Sequence, residues 1–156
     1  MNEKLQIDIY KGLPMVLEKI KGVALSAVIG KTPAWLQQKL ERTVVKGLQK
    51  EFVSSDLGLI NNGLELLGQE ISQSMVNYTP VREEVIEQIK NLNNFIAMPY
   101  IYDNVLGKGR RWYVNRMVQR KPGCSVCSFK EDDVLAINMA AMQIANELKS
   151  IEFVLK

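Results

Sequence analysis

Residues 107–117 read GKGRRWYVNRM and residues 30–40 read GKTPAWLQQKL, so glycine, lysine and tryptophan fall at matching places in both. The chain has two tryptophans, Trp35 and Trp112, and sliding it by the 77 positions from Gly30 to Gly107 superimposes them without a gap. The same slide brings Phe52 onto Phe129, Asp56 onto Asp133, Ile60 onto Ile137, Asn61 onto Asn138 and Glu70 onto Glu147. Conservative pairs fill in between: Lys39 with Arg116, Leu40 with Met117, Leu57 with Val134 and Leu67 with Ile144. Helix-rich sequences agree by chance at apolar positions, but chance rarely aligns both tryptophans together with their neighbouring Gly-Lys pairs. The pattern predicts an internal duplication.

At 156 residues the chain has room for one ordinary domain or two very small ones, each with a modest core. Hydrophobic content of 47% with 24% charged residues is that of a soluble globular protein. No apolar run approaches the ~20 residues that cross a bilayer. The start MNEKLQIDIYKG carries acids and lacks the apolar core of a secretory signal, so a cytoplasmic location is expected. Histidine is absent, which removes the commonest general base and the commonest metal ligand together. A non-enzymatic protein without cofactor or metal is the expectation.

Helix punctuation is frequent and strand signals are scarce, so the predicted fold is all-α. In LPMVLEKIKGVALSAVIG, Pro14 suits a first turn, and Val16, Leu17, Ile20, Ala24, Ala27 and Val28 follow helical spacing, with Gly22 as a break. After Gly30, Thr32 as cap and Pro33 at the first helical position start a helix through Trp35, Leu36 and Leu40. A loop over about residues 43 to 53 leads to a helix capped by Ser54 or Ser55, with the stripe Leu57, Ile60, Leu64, Leu67 and Ile71. Thr79 as cap, Pro80 first and Glu83 in the opening turn start a linking helix whose stripe is Val81, Val85, Ile89 and Leu92. The second copy then follows, its last helix capped by Ser128 with Glu131 and striped by Val134, Ile137, Ala141, Ile144, Leu148 and Ile151. The organisation is therefore a first helical repeat over 1–76, a linking helix over 77–94 and a second repeat over 95–156.

An apolar helix ending at glycine, a few polar residues and a short amphipathic helix make a helix-turn-helix pattern, glycine accepting the turn's positive φ. Leu25, Ile29 and Leu36 form the inner seam of the first copy, with Tyr102, Leu106 and Tyr113 in the second. Charge singles out the second copy. From Asn104 to Lys130 there is no acid, while Lys108, Arg110, Arg111, Arg116, Arg120, Lys121 and Lys130 are basic in a protein of net charge only +3. With Trp112, Tyr113 and Met117 inward, the open side carries Arg110, Arg111, Asn115 and Gln119. Arginine, asparagine and glutamine make paired contacts to base edges, and lysine and arginine neutralise phosphates. The candidate nucleic-acid-binding residues are Lys108, Arg110, Arg111, Asn115, Arg116, Gln119, Arg120 and Lys121. Two bland readings stand beside this one: a solvated basic face that keeps the chain soluble, or one that docks an acidic protein. The first copy, with Gln37, Gln38, Lys39 and Glu41, is less basic.

On Gly30, Lys31, Trp35, Leu36, Gln38, Lys39, Leu40, Val45, Gly47 and Phe52 the chain resembles an uncharacterised small domain family of gut Bacteroidales bacteria, their phages and mobile elements. Members of that family show a GKS-type turn, a WLYQR-like helix, a Val-x-Gly loop and a phenylalanine before the final helix. The second copy keeps Gly107, Lys108, Trp112, Arg116, Met117 and Phe129 but has KPGCSVCS in place of Val-x-Gly. The resemblance implies a phage or mobile-element context and a helix-turn-helix-like unit, not an activity.

Cys124 and Cys127 form a Cys-x-x-Cys motif. Two ligands do not close a zinc site, a redox role needs a βαβ setting, and ordinary reduced thiols are the expectation. Trp35 and Trp112 anchor small cores more naturally than they stack on bases. Glu83 and Glu84 suit a helix start electrostatically and need no catalytic role. The sequence thus predicts a nucleic-acid-binding regulator or accessory protein, duplex DNA being the expected ligand. The alternatives are a protein-interaction module, such as a virion component or a host-factor inhibitor that meets an acidic protein, and a homodimer joined through an apolar end at Ile151, Phe153, Val154 and Leu155.

Overall fold

The two ends of the chain lie side by side: strand β1 (Leu5–Asp8) pairs in parallel with strand β4 (Ile151–Val154), Ile7 opposite Phe153. Between them, in a computed structural model that describes residues 3–118 and 127–156, run α1 (Ile9–Leu17), α2 (Gly22–Val28), α3 (Pro33–Glu41), β2 (Val44–Val45), β3 (Leu48–Gln49) and α4 (Ser54–Ser72). These are followed by α5 (Arg82–Leu92), a π-helix over Tyr100–Val105, α6 (Arg110–Met117) and α7 (Glu131–Ser150). The chain is mostly helical, as the punctuation predicts, but the all-α expectation needs correcting by these strands. Ile151 falls three residues after Leu148 and so continues the helical stripe on paper. In the structure the residue turns extended, and Ile151 and Phe153 point inward at alternate positions of β4. The apolar end proposed for a dimer is therefore mostly occupied within the chain.

Helix starts differ from the expected caps in three places. Thr79 Oγ1 accepts the Val81 N–H at 3.1 Å in a local turn, and α5 begins at Arg82, which leaves Pro80 and the 47% exposed Val81 outside the helix. Neither Ser54 nor Ser128 caps. The residues before α4 and α7 are Val53 and Lys130, and Asp56 and Asp133 reach back to accept their backbone N–H groups at 2.9 and 2.8 Å. Pro14 lies inside α1 rather than in its first turn, because α1 starts at Ile9, directly off β1.

The core is built on α4 and α7. Ile60, Leu64, Leu67 and Ile71 of α4 and Val134, Ile137, Ala141, Ile144 and Leu148 of α7 are all buried, as their spacing predicts. A Cβ on Gly68 would stand 2.9 Å from the Ala145 carbonyl oxygen, so the two helices touch there almost backbone to backbone. One turn on, Lys149 Nζ donates to Ser72 Oγ at 3.0 Å. Two asparagines then lock extended segments against the helices. Asn61 on α4 accepts the Phe153 N–H at 2.7 Å and donates to its carbonyl at 3.0 Å. Asn138 on α7 does the same for Val76, at 2.8 Å in both directions. The segment after each long helix is thus held by the other long helix. A short antiparallel bridge, Lys21 N–H to Phe95 O and Ala97 N–H to Lys19 O, both 2.9 Å, joins the stretches that precede α2 and the π-helix around Ile20 and Ile96.

Candidate nucleic-acid interface

Both quoted stretches fold as helix, glycine turn and second helix. Gly30 has φ +72° and Gly107 φ +64°, a region where a side chain is strained, which is why glycine stands at each turn. Thr32 Oγ1 accepts the Trp35 N–H at 3.1 Å and Pro33 opens α3, as expected. In the second unit Gly109, at φ +85°, precedes Arg110. Each tryptophan is half-buried and meets a phenylalanine edge-on: Trp35 against Phe52 at 6.3 Å and 72°, Trp112 against Phe129 at 5.6 Å and 78°. Each also carries a cation over its ring four residues later in the helix, Lys39 at 5.0 Å and Arg116 at 4.4 Å. The tryptophans act as anchors of these units, not as free stacking platforms.

The candidate side chains divide into three groups. Lys108, Arg110 and Arg111 are exposed at the turn and the start of α6. Asn115 and Arg116 are half-buried, and Arg116 is turned onto Trp112, donating to its carbonyl at 3.1 Å, with Nε buried and unpaired among the described residues. Gln119, Arg120 and Lys121 lie outside the described residues, as does Cys124. A residue that the sequence did not single out holds this region. Arg82 on α5 donates to the carbonyls of Arg116 at 2.8 Å, of Val118, and of Cys127 at 3.0 Å, so one guanidinium fastens the end of α6 and the chain before α7. Cations near a helix C-terminus satisfy free carbonyls in this way, but no local sequence signal pairs Arg82 with them.

Tyr113 stacks on the buried Tyr102 with ring centroids 5.0 Å apart and planes 24° from parallel. Burial, with Tyr102 adding to it, pushes the Tyr113 hydroxyl from 10.0 up to about 12. The neutral form is favoured in the fold, so this stabilisation is complete below pH 10 and is lost as pH climbs toward 12. In an alkaline absorbance titration one tyrosine is expected to ionise late, near pH 12, and Tyr113→Phe is expected to abolish that late phase. A late phase unchanged by Tyr113→Phe would contradict the assignment.

The first unit has a feature absent from the expected layout, where residues 43 to 53 were a loop. Strands β2 and β3 form a tight hairpin, Val44 opposite Gln49 and Val45 opposite Leu48. Lys46 at φ +51° and Gly47 at φ +80° make its two-residue turn, and a positive φ at both positions matches the twist of the flanking strands. The β-branched Val44-Val45 and the glycine at 47 were the available signals. Val44 and Leu48 are 63% and 70% exposed, and Arg42 lies over the Tyr10 ring at 3.9 Å. Lys31, Lys46 and the hairpin therefore stand beside α3 in solvent.

Among the described residues no group of three metal-ligating side chains occurs and no helix is long and apolar enough to cross a membrane. Cys127 is half-buried, and Glu83 and Glu84 sit in the first turn of α5, where negative charge is favourable. No family model, no curated protein and no solved structure matches the chain.

Proposed function

We propose that the chain is a tandem duplication of a helix-turn-helix-like unit that binds duplex DNA. It serves as a non-enzymatic, cytoplasmic regulator or accessory protein of a phage or mobile element related to the Bacteroidales family it resembles. The observation that carries the binding reading is the cluster of Lys108, Arg110 and Arg111, all exposed where a glycine turn feeds α6, inside a stretch without a single acid. Cations at that place meet phosphates while the helix behind them offers side chains to a groove. The hairpin beside α3, with Lys46 at its tip, supplies the first unit with a second basic projection.

The duplication is supported by geometry as well as residue identity. Equivalent tryptophans share an edge-on phenylalanine and a covering cation, and equivalent asparagines lock equivalent segments. The π-helix fits the same history. Leu25 and Ile101, both fully buried, are 76 positions apart, whereas Ile29 and Leu106 are 77 apart. The second copy thus holds one residue more, and the bond from the Leu106 N–H reaches back five residues to Ile101 where the Ile29 N–H reaches back four to Leu25. A wider turn absorbs one extra residue without shifting the helix face beyond it.

Fluorescence titration of the whole protein with mixed genomic duplex across salt concentrations tests the binding. Affinity is expected to fall linearly on logarithmic axes as salt rises. Absence of salt-sensitive binding at low ionic strength, to duplex or single strands, would leave the protein-interaction reading. That reading draws on Leu135 and Met139, one turn apart on α7 and each 58% exposed.

A further inference from the structure

Several contacts join a residue to its own counterpart in the other copy. Gly68 meets Ala145, Ser72 meets Lys149, both pairs 77 positions apart, and Ile20 bridges Ile96 on the other side of the one-residue shift. The asparagine locks are reciprocal in the same sense: Asn61 holds Phe153, and their counterparts, Asn138 and Val76, hold each other. When i touches j and the counterpart of j touches the counterpart of i, the relation between the copies is a two-fold rotation. A screw or translation, as in stacked repeats, brings each residue against the next copy in one direction only.

From this the geometry points to a ligand of stated form: one duplex carrying two inverted half-sites of unequal sequence, occupied by a single chain. The inference rests on the DNA-binding reading above and adds symmetry, stoichiometry and asymmetry to it. A two-fold protein matches the two-fold of a duplex only through inverted half-sites. Rotation leaves height along the axis unchanged, so the turns at Gly30 and Gly107 lie at one level, as a duplex that crosses the axis to reach both requires. A homodimer needs two chains for this; here one chain contains both units. The half-sites differ because the helices differ. Gln37, which donates to Glu41 at 2.6 Å on the exposed face, and the half-buried Gln38, both of a type favouring adenine, stand in α3, whereas the exposed Arg110 and Arg111, favouring guanine, stand in α6.

The test is selection by the full chain from duplexes with a randomised core of about 30 base pairs, long enough for two half-sites one turn apart. Native mass measurement of the complex and titration of the selected sequences follow. The expected result is two inverted, imperfectly matched blocks, one chain per duplex, and an affinity about 10²-fold or more above that for a duplex with one block, since the second binding event is intramolecular. Gln37→Ala is expected to relax one block and R110A/R111A the other. All three side chains are exposed, so neither variant threatens the fold. A single block, two direct repeats, or two chains on an inverted site would overturn the inference while leaving DNA binding intact. Failure to select any duplex above non-specific binding would remove the functional reading and this inference with it.

Discussion

Phe153→Ala is expected to cost about 3–5 kcal/mol, a large fraction of the roughly 5–15 kcal/mol that stabilises a domain. Phe153 is 1% exposed, and its ring fills the space that Gly12 leaves open, 2.6 Å from where a Cβ on Gly12 would sit. Truncation therefore removes the ring and leaves a cavity between α1, β1 and α4. The consequence is specific to the crossed arrangement. Phe153 follows the last helix of the second half but packs on the first, where Asn61 holds its backbone. In a Trp112→Phe background Trp35 alone reports the first half in urea, and it is expected to unfold with the far-ultraviolet circular dichroism in one transition shifted to lower denaturant. A loss below about 1 kcal/mol, well under the range for buried aromatic truncation, or a Trp35 transition unmoved by the substitution, would show the halves to be independent.

The helical part of this arrangement was legible because burial in α4 and α7 follows a 3.6-residue period, which a single sequence displays directly. The extended part was not. Val76 is held by Asn138, 62 residues away, and β4 by β1 near the other end of the chain and by Asn61, 92 residues from Phe153, and nothing local distinguishes such segments from a frayed helix end. Helix caps were misplaced for a related reason. Ser54 and Ser128 are good cap residues by type, yet a carboxylate at the third helical position, Asp56 or Asp133, accepts the N-cap N–H of Val53 or Lys130 instead.

In the candidate interface, sequence separated what is basic from what is not, but not what is free from what is used. Arg116 resembles its neighbours on paper, yet it lies four residues after Trp112 on the same helix face and is spent on that ring and its carbonyl. Lys39, four residues after Trp35, is spent likewise on that ring and on Asp56, a pair largely withdrawn from solvent. The hairpin was hard to read because only Gly47 marks its turn, whereas Lys46 takes a positive φ that lysine rarely adopts.

The free cations define the second large effect. Replacing Lys108, Arg110 and Arg111 together with alanine is expected to flatten the salt dependence of duplex binding by about 2.7 in logarithmic slope, at roughly 0.9 for each phosphate no longer neutralised. Near 0.1 M salt that slope change corresponds to roughly 10²- to 10³-fold weaker binding. Stability should hardly move, because the three side chains are exposed and make no ion pair among the described residues. Net charge alone could mimic a part of this effect by weakening long-range attraction. The control is a variant with equal charge removed elsewhere, at Lys11, Lys90 and Lys156, which are also exposed. Non-specific attraction falls alike in both variants, whereas direct phosphate neutralisation makes the slope flatten only when the cations beside the Gly107 turn are replaced. Equal slopes for the two variants would place the duplex elsewhere on the molecule.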